Sequence, residues 1–497
     1  MQTTVSSEDL QRRVAQRVRP GSFVPSRHFY PQVLDAELHP LVSFFLDLSI
    51  ERIASRYCHL RPQVDRAALL ALLRTRTRHL GWAGADLFYT VNDAGLRRML
   101  VVETNSCPSG HKSMPLRDRA APQGGYRRLL EHSVLPHLED PALPPGGLAV
   151  LYDKNVQEAS GYAATLADLT GEDVLLCPLP ADAAARPQGP PARFRDGVLE
   201  VRDDQGRFTP IRLAMRYVTR RPWTRIPVRT RTRILNPVIA CLAGGRNKLV
   251  AAKAYEALSD ELADAGLQIR TPETLRDVAF DDIPQAIQSL GGYAVVKNPY
   301  SNAGAGVWTI MGPADLGAFL AHEQRYERFI VQGLVGNARW SSGGAGSRHH
   351  HVGTMPDARG DIYVADLRMM VCSGPAGFIP VSLYARRARA PLPEQVEPGV
   401  PSWPMLGTNL SVPREGGGFA ADTERLMITD TEHFNTLGLG PDDLIDAYVQ
   451  TVLSIVAIDR CAESLLDGEG ELNLLRFRAL DDDPSLVAEL MPPAAAP

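Results

Sequence analysis

The first residue whose type and surroundings suggest chemistry is Lys297, which ends a β-type run at residues 293–296. A loop of Ser, Asn, Ala and Gly follows at residues 301–306 and leads into a second β-type run, so the segment predicts a hairpin with a flexible polar loop. Gly304 and Gly306 permit positive φ angles and leave backbone N–H groups accessible, and the lysine ammonium adds a compact positive charge. These features suit a polyphosphate ligand. An ordinary glycine-containing hairpin is the alternative, because the segment has neither the Walker pattern nor a GxGxxG turn.

Lysine is rare in this chain. Of 53 Lys and Arg residues, the lysines are Lys112, Lys154, Lys248, Lys253 and Lys297. A narrow phosphate pocket favours the point charge of lysine over the broad guanidinium fork, so the few lysines are informative. Lys248 follows two glycines in the first turn of a predicted helix, where backbone N–H groups and the helix dipole favour phosphate. Lys248 and Lys297 are therefore candidate phosphate ligands.

A carboxylate and an amide stand at the end of another predicted strand. Glu103 and Asn105 close the run at residues 96–105 and point to one face, because side chains alternate along a strand. Their oxygens are of the kind that a hard cation such as Mg²⁺ prefers. A strand end followed by a polar turn is the alternative. The role of Cys107, two residues further on, is left open.

Composition excludes several classes of protein. The 497 residues are enough for two or three domains, and 53 basic against 57 acidic residues give a net charge of -4, which predicts neither a nucleic-acid surface nor a polybasic membrane patch. The first residues lack an apolar signal region, and no apolar span reaches about 18 residues, so we expect a soluble cytoplasmic protein that does not bind membranes. The six cysteines lack CxxC spacing, which favours ordinary thiols over zinc ligands or disulfides.

Three adjacent histidines lie in a polar stretch. His349, His350 and His351 cannot all face one metal ion from a strand or a helix. Residues 337–360 around them are rich in Gly, Ser and His. We interpret this stretch as a mobile loop first and as a source of metal ligands only second.

Five segments follow from the patterning. The alternation of helical and strand patterns along most of the chain predicts an α/β (α+β) fold. The segments are a helical N-terminal region at residues 1–80, a strand pair with the metal candidates at 81–145, a Rossmann-like segment at 146–240, the nucleotide-binding and catalytic subdomains at 241–430, and a C-terminal helix and tail at 431–497.

Taken together, these features resemble the ATP-grasp superfamily over roughly residues 80–425. In that family two lysines hold the nucleotide phosphates, a flexible loop closes over them, and a hinge segment runs past the adenine. The metal signature is an Asp on one strand and an E-x-N on the next. The residues that match the nucleotide-binding pattern are Lys248, Lys297, Ser301, Asn302, Ala303, Gly304, Gly306, Gln332, Gly333, Leu334 and Val335. Those that match the metal signature are Asp86, Glu103 and Asn105.

The family also has a D-x-R strand, an arginine on the next strand and an Asn-Leu element. Here these correspond to Asp366 and Arg368, to Arg386 or Arg387, and to Asn409. The resemblance makes these arginines and Asn409 the candidate catalytic residues, with Arg368 or Arg386 as donor to a tetrahedral oxyanion.

The order of the motifs resembles the circularly permuted branch, of which glutathionylspermidine synthetase is the known example. The metal signature lies about 145 residues ahead of Lys248, whereas it normally closes the domain. A rival interpretation keeps the usual order and takes Glu471 and Asn473 as the metal pair. It lacks a well-patterned preceding strand and a following proline or glycine.

The resemblance implies an ATP- and Mg²⁺-dependent ligase that joins a carboxylate to an amine through an acylphosphate, with amino acids or a small peptide as substrates in specialised metabolism. Two alternatives stay open: loading of an amino acid onto the thiol of a carrier protein, and a regulatory protein that binds ATP without catalysis. The expected partners are small molecules, with a homodimer and a carrier protein left open.

Overall fold

The computed structural model describes residues 13–182, 189–300, 306–344, 348–397, 399–413 and 419–491. Three sheets carry the architecture, and helices pack against each of them, which confirms the predicted α/β class. The strands are β1 Gln16–Val18, β2 Trp82–Asn92, β3 Arg97–Asn105, β4 Gly147–Tyr152, β5 Val174–Pro178, β6 Ala192–Arg195, β7 Val198–Arg202, β8 Phe208–Tyr217, β9 Arg233–Leu235, β10 Thr274–Ala279, β11 Ala294–Lys297, β12 Val307–Ile310, β13 Arg328–Gly333, β14 His349–His351, β15 Ala365–Gly374, β16 Gly377–Arg387, β17 Ser411–Pro413, β18 Phe419–Ala421 and β19 Leu426–Met427.

The helices range in length from 3 residues to 24 residues. Their bounds are α1 Pro25–His28, α2 Pro31–Leu34, α3 Pro40–Leu46, α4 Ile50–Leu60, α5 Arg66–Leu73, α6 Gly124–Leu129, α7 Leu135–Leu138, α8 Val156–Thr170, α9 Val238–Ala240, α10 Lys248–Glu261, α11 Ile283–Ser289, α12 Pro313–Ala321, α13 Trp403–Leu406, α14 Thr431–Leu437, α15 Pro441–Ser464, α16 Leu474–Leu480 and α17 Pro484–Leu490. Within the described ranges, no helix combines the length and the apolar character needed to cross a membrane.

The first sheet has the strand order β1-β5-β4-β8-β7-β6, with β9 beside β8. Strand β4 runs parallel to both β5 and β8, and α8 makes the crossover from β4 to β5. This is the strand–helix–strand unit that the sequence predicts. Strand β1 adds an antiparallel edge to β5 and therefore ties the largely helical N-terminal region to this sheet.

The small sheet has the order β10-β13-β11-β12, and all of its pairs are antiparallel. Its apolar face packs against α11 and α12 around Phe319 and Phe329, which are buried. The hairpin β11–β12 carries Lys297 at its base, as predicted from the sequence, since Lys297 pairs with Val307 across the hairpin.

The large sheet has the order β14-β2-β15-β16-β19, with β3 on the other edge of β2. Two strands from the first quarter of the chain, β2 and β3, thus share one sheet with four strands from its last third. Helix α15, 24 residues long, packs behind β3, β2 and β15 and is buried from Leu444 to Asp459. Its buried apolar residues belong to the main core.

The interpretation of the histidine stretch as a loop was wrong at residues 349–351. His349, His350 and His351 form β14, which pairs antiparallel with residues 90–92 of β2. Strand β14 continues along the edge of β2 that β15 occupies further down, because β3 takes the opposite edge. Strand β15 pairs with β2 only as far as residue 88, and residues 349–351 pair with the part of the same edge that remains at residues 90–92. Residues 345–347 lie outside the described residues.

Candidate active site

A cavity of about 360 Å³ lies between the small and the large sheet. Its walls come from β2, β3, β15 and β16 on one side and from β11, β12 and β13 on the other, with the N-terminal ends of α8 and α10 at its margins. Predicted site residues that line it are Asp86, Glu103, Asn105, Lys248, Lys297, Gln332, Gly333, Leu334, Val335, Arg368, Arg386 and Asn409. The fold thus brings together most residues that the sequence singled out.

Asp86 lies at the centre of the large-sheet wall. The sheet register places it opposite Glu103 on β3 and opposite Arg368 on β15. Arg368 donates two hydrogen bonds to its carboxylate, of 2.6 and 2.7 Å, and Arg386 lies 3.0 Å from one of the same oxygens. Burial alone would raise the pKa of Asp86, but the charges of Arg368 and Arg386 outweigh it and lower that pKa to about 2.

Arg386 also forms a bidentate pair with Asp366, which faces it across the β15–β16 pair. Asp86, Asp366, Arg368 and Arg386 therefore form one buried network of two acids and two bases, here called the sheet cluster. Arg387 is not brought to the cavity, because neighbouring residues of a strand point to opposite faces. Its guanidinium lies 4.8 Å from the ring centre of Tyr363 instead.

The two candidate phosphate lysines converge from different elements. Lys248 is the first residue of α10, and its ammonium lies 3.4 Å from a carboxylate oxygen of Glu103. Lys297 ends β11 and donates a 2.7 Å hydrogen bond to the side-chain oxygen of Gln332. Burial lowers the pKa of Lys297 to about 8, with the carboxylate of Glu103 opposing that shift. A second cavity of about 250 Å³ behind them shares these four residues.

The hinge residues Gln332 and Gly333 end β13, and Leu334 and Val335 follow it directly. The amide nitrogen of Gln332 donates to the Thr274 hydroxyl at 2.8 Å, and the backbone N–H of Leu334 donates to Ser342 at 2.6 Å. His351 on β14 is buried, and its backbone N–H donates to the carbonyl of Gly336 at 2.8 Å, so β14 ties the hinge to the large sheet. Burial lowers the pKa of His351 to about 3, so its ring is neutral. The hinge is thus held from both sheets.

The donors fit Mg²⁺ unevenly. Glu103 keeps 30% of its side chain exposed, and Asn105 lies two residues along on the same strand, with its side-chain oxygen accepting a 3.0 Å bond from Arg246. Both present oxygens of the kind that Mg²⁺ prefers. Asp86 has both oxygens engaged by guanidinium groups, so in this arrangement it acts as a counter-ion for Arg368. Among the described residues no group of three or more His, Cys, Asp and Glu has metal-binding geometry.

The remaining predicted residues lie elsewhere or outside the described ranges. Glu471 is exposed and 3.8 Å from Arg229, while Asn473 caps α16 by accepting the N–H of Arg476, and neither lines the cavity. Gly306 has a φ of +70°, which suits glycine at the end of the loop. Ser301, Asn302, Ala303 and Gly304 lie outside the described residues.

Cys107 lines the cavity but is buried, and its thiol donates to the carbonyl of Arg216 at 3.1 Å. Burial raises the pKa of this thiol above its ordinary value. A protonated, hydrogen-bonded thiol is a poor nucleophile, so the geometry gives Cys107 a structural part.

The opposite end of the cavity, here called the basic pocket, was not predicted from the sequence. Its residues are Tyr30, Lys112, Lys154, Asn155, Val156 and Gln157. With Lys112 and Lys154 included, four of the five lysines line one cavity. The rarity of lysine in the sequence is the signal that could have pointed to Lys112 and Lys154 as well. The Lys112 ammonium donates a 2.8 Å hydrogen bond to Asn155 and lies 4.7 Å from the ring centre of Tyr30.

Ser109 links the basic pocket to the sheet cluster. Its hydroxyl accepts a hydrogen bond from Asn155 at 2.8 Å and donates one to Glu158 at 3.0 Å. Its carbonyl accepts bonds from Arg368 at 3.2 Å and from the Tyr384 hydroxyl at 2.9 Å. The two ends of the cavity are therefore connected through one residue.

No protein-family model and no curated protein matches the chain. Three solved structures show distant similarity. A RimK domain ATP-grasp protein from Sphaerobacter thermophilus is 15% identical with a TM-score of 0.27, over 48% of this chain and 89% of that one. A glutathione synthetase-like effector from Globodera pallida, in its apo form, is 10% identical with a TM-score of 0.36, over 77% and 93%. An N5-carboxyaminoimidazole ribonucleotide synthetase in complex with ADP is 9% identical with a TM-score of 0.22, over 51% and 72%.

At TM-scores of 0.22 to 0.36, these similarities assign neither a fold family nor a substrate to this chain. The resemblance itself rests on the residues that meet in the cavity, where Lys248 and Lys297 face Glu103 and Asp86 faces Arg368. Of the three structures, the Sphaerobacter thermophilus protein is described as an ATP-grasp protein.

Proposed function

We propose that the cavity binds ATP with Mg²⁺ and that the chain is an ATP-dependent carboxylate–amine ligase. In this reaction a substrate carboxylate oxygen attacks the γ-phosphorus of ATP, ADP leaves, and an acylphosphate forms. The amine nitrogen then attacks the acyl carbon, phosphate leaves, and the amine gives up a proton. The observation that carries the proposal is the convergence of Lys248, Lys297, Arg368 and Arg386 on one cavity beside Glu103.

The nucleotide is assigned to the side of the cavity near the small sheet. Lys248 and Lys297 would neutralise the phosphates, and Lys297 stays mostly protonated at neutral pH because its lowered pKa is still about 8. The hinge residues Gln332 to Val335 would contact the base. The apolar side chains of Phe88, Val295 and Leu334 line the same region and suit a flat ring.

Glu103 and Asn105 are assigned to Mg²⁺, while Asp86 stays bound to Arg368 and Arg386. A metal ion held by these residues would supply charge neutralisation at the phosphates. We assign to residues 301–306 the role of covering the phosphates and excluding water, which would protect the acylphosphate from hydrolysis.

The arginines of the sheet cluster are assigned to the reacting carboxylate. Arg368 is held by Asp86, Ser109 and Tyr384, so its guanidinium has little freedom to move. A fixed donor stabilises the charge of a tetrahedral oxyanion without reorganising at the moment of reaction. Arg386 is fixed in the same way by Asp366, and Asn409 lines the cavity nearby. Arg387 has no part in this arrangement.

The test is nucleotide product analysis with Mg-ATP and a pooled panel of amino acids, dipeptides and polyamines. We expect ADP, and only when the pool is present. Lys297→Ala serves as the blank, and Lys253→Ala is the matched control, because Lys253 lies on α10 outside the cavity, paired with Asp277 at 2.7 Å.

Each other outcome overturns the proposal in a defined way. AMP as product would indicate adenylation instead. ADP formed only with a carrier-protein thiol as acceptor would indicate the loading reaction. Tight binding of ATP without turnover, with either the pooled panel or the carrier-protein thiol present, would indicate a regulatory protein that binds ATP without catalysis.

A further inference from the structure

The basic pocket has more positive charge than the chain itself neutralises. Within the part of the chain that the structure describes, the Lys154 ammonium forms no hydrogen bond and no ion pair. The carboxylate of its neighbour Asp153 is turned away and bound by the backbone N–H of Thr219 at 2.8 Å and by the Arg225 guanidinium at 2.9 Å. Lys154 nonetheless lines the cavity. The positive charge of Lys154 therefore has no counter-ion within ion-pair distance among the described residues.

The acidic group nearest to this pocket is also largely engaged. Glu158 is fully buried below the cavity wall and accepts hydrogen bonds from the backbone N–H groups of Gly110 and His111, at 2.9 and 3.0 Å, and from Ser109. Burial lowers the pKa of Lys112, but Tyr30 and the charge of Glu158 outweigh that effect and raise this pKa, so Glu158 offsets the charge of Lys112 in part. One uncompensated positive charge therefore remains at Lys154.

Backbone N–H groups at the start of α8 also favour an anion in the basic pocket. Helix α8, 15 residues long, begins at the cavity, and its first residues Val156 and Gln157 line it. The first N–H groups of a helix lack partners within the helix and carry a partial positive charge. Asn155, which precedes them with a φ of 51°, is fixed by its bonds to Ser109 and Lys112. The pocket is thus built of donors on a rigid frame.

A pocket with these groups attracts an anion and repels an ammonium ion. We propose that the basic pocket binds a second anionic group of the acid substrate, a carboxylate or a phosphate, distinct from the carboxylate that is activated. The acid substrate is then at least a diacid, and the amine substrate enters elsewhere. This inference rests on the proposed function in one respect, that the arginines of the sheet cluster hold the reacting carboxylate.

The neighbourhood of Lys154 agrees with that assignment. Burial, together with the positive charge of Arg246, lowers the pKa of Lys154 to about 8. An anion at this place would stabilise the ammonium form and raise that pKa. Ser109 provides the connection, because its carbonyl contacts Arg368 while its hydroxyl contacts Asn155. Two anionic groups of one small molecule would bind on the two sides of this residue.

The experiment measures binding of matched probes by calorimetry at pH 7. The probes are dicarboxylates of three to six carbons, their monoamides, and the corresponding phosphonocarboxylates. We expect at least one diacid to bind about tenfold more tightly than its monoamide, which corresponds to one ion pair of about 1.4 kcal/mol. Comparison of the dicarboxylates with the phosphonocarboxylates decides between a carboxylate and a phosphate. Equal binding of diacids and monoamides would overturn the inference.

Variants of Lys154 and Lys253 show whether the preference for the diacid arises in the basic pocket. Lys154→Gln should abolish the preference for the diacid, Lys154→Arg should restore part of it, and Lys253→Gln should leave it unchanged. A preference that survives Lys154→Gln in a protein with an unaltered circular dichroism spectrum would overturn the assignment to this pocket.

Turnover separates this inference from the proposed function. ADP formation that is equal with diacids and monoamides would sink the inference and leave the ligase standing. Diacid binding that depends on Lys154, with no ADP formed from any acid and amine, would uphold the pocket and reject the ligase.

Discussion

Asp86 on β2 and Arg368 on β15 lie opposite each other in the sheet register and form two hydrogen bonds, although 282 residues separate them in the chain. This contact joins a strand from the N-terminal part to one from the C-terminal part. Neither half of the chain builds the large-sheet wall of the cavity alone. The pair therefore contributes both to the packing of the large sheet and to the wall of the cavity.

Asp86→Asn should lower the free energy of unfolding by about 3 kcal/mol, because it leaves the buried guanidinium of Arg368 without a charged partner and leaves Arg386 with Asp366 alone. Urea unfolding measures this. The matched control is Asp442→Asn, since Asp442 pairs with Arg56 at the surface with side chains 43% and 47% exposed, and we expect a loss below about 1 kcal/mol there. Equal losses in the two variants would contradict the buried network.

The metal pair can be located by a comparison of two double variants. Glu103→Gln with Asn105→Ala should reduce ADP formation at least about a hundredfold and raise the Mg²⁺ concentration needed for half-maximal ATP binding. Glu471→Gln with Asn473→Ala should leave both unchanged, because that pair lies outside the cavity. Full activity of the first double variant and loss in the second would transfer the metal site to the C-terminal pair.

ATP affinity should fall as the pH rises through about 8. The free protein holds Lys297 with a pKa lowered to about 8, so the positive charge that binds phosphate is present below that pH and lost above it. Since bound phosphate favours the charged form, we expect the Kd for Mg-ATP to rise by up to about tenfold per pH unit above pH 8. Fluorescence titration from pH 7 to 9.5 measures this. In Lys297→Arg the profile should be flat, and a slope that persists there would assign the titration to another group.

Lys154→Met should stabilise the free protein at pH 7. The folded-state pKa of Lys154 is about 8, below its ordinary value of 10.5, because burial disfavours the charged form. The cost of holding the charged lysine is fully present below pH 8 and disappears as the pH rises from 8 toward 10.5. We expect a gain of about 1 to 2 kcal/mol at pH 7 that shrinks above pH 8, measured by urea unfolding of both proteins across that range.

The control for this effect is Lys253→Met. Lys253 has an ion pair of 2.7 Å with Asp277 and donates to the carbonyl of Leu480, so its removal should not stabilise the protein. A stabilisation of the same size in both variants would indicate a general effect of added apolar surface rather than relief of an unpaired charge.

The sequence by itself determined the local elements and the chemistry of the residues they carry. The hairpin with Lys297 at its base, the helix that begins at Lys248 and the strand that ends in Glu103 and Asn105 all follow from side-chain period and turn residues, which act over a few neighbours. The α/β class follows from the same alternation.

Only the tertiary structure decided which of these elements meet. Strand β2 takes β15 as its partner, β14 fills the rest of the same edge, and Arg386 rather than Arg387 turns toward Asp86. Strand pairing between distant segments depends on which apolar faces pack together, and side-chain direction depends on the register that results. For the same reason the structure, and not the spacing of motifs, brings Lys112 and Lys154 into the cavity with Lys248 and Lys297.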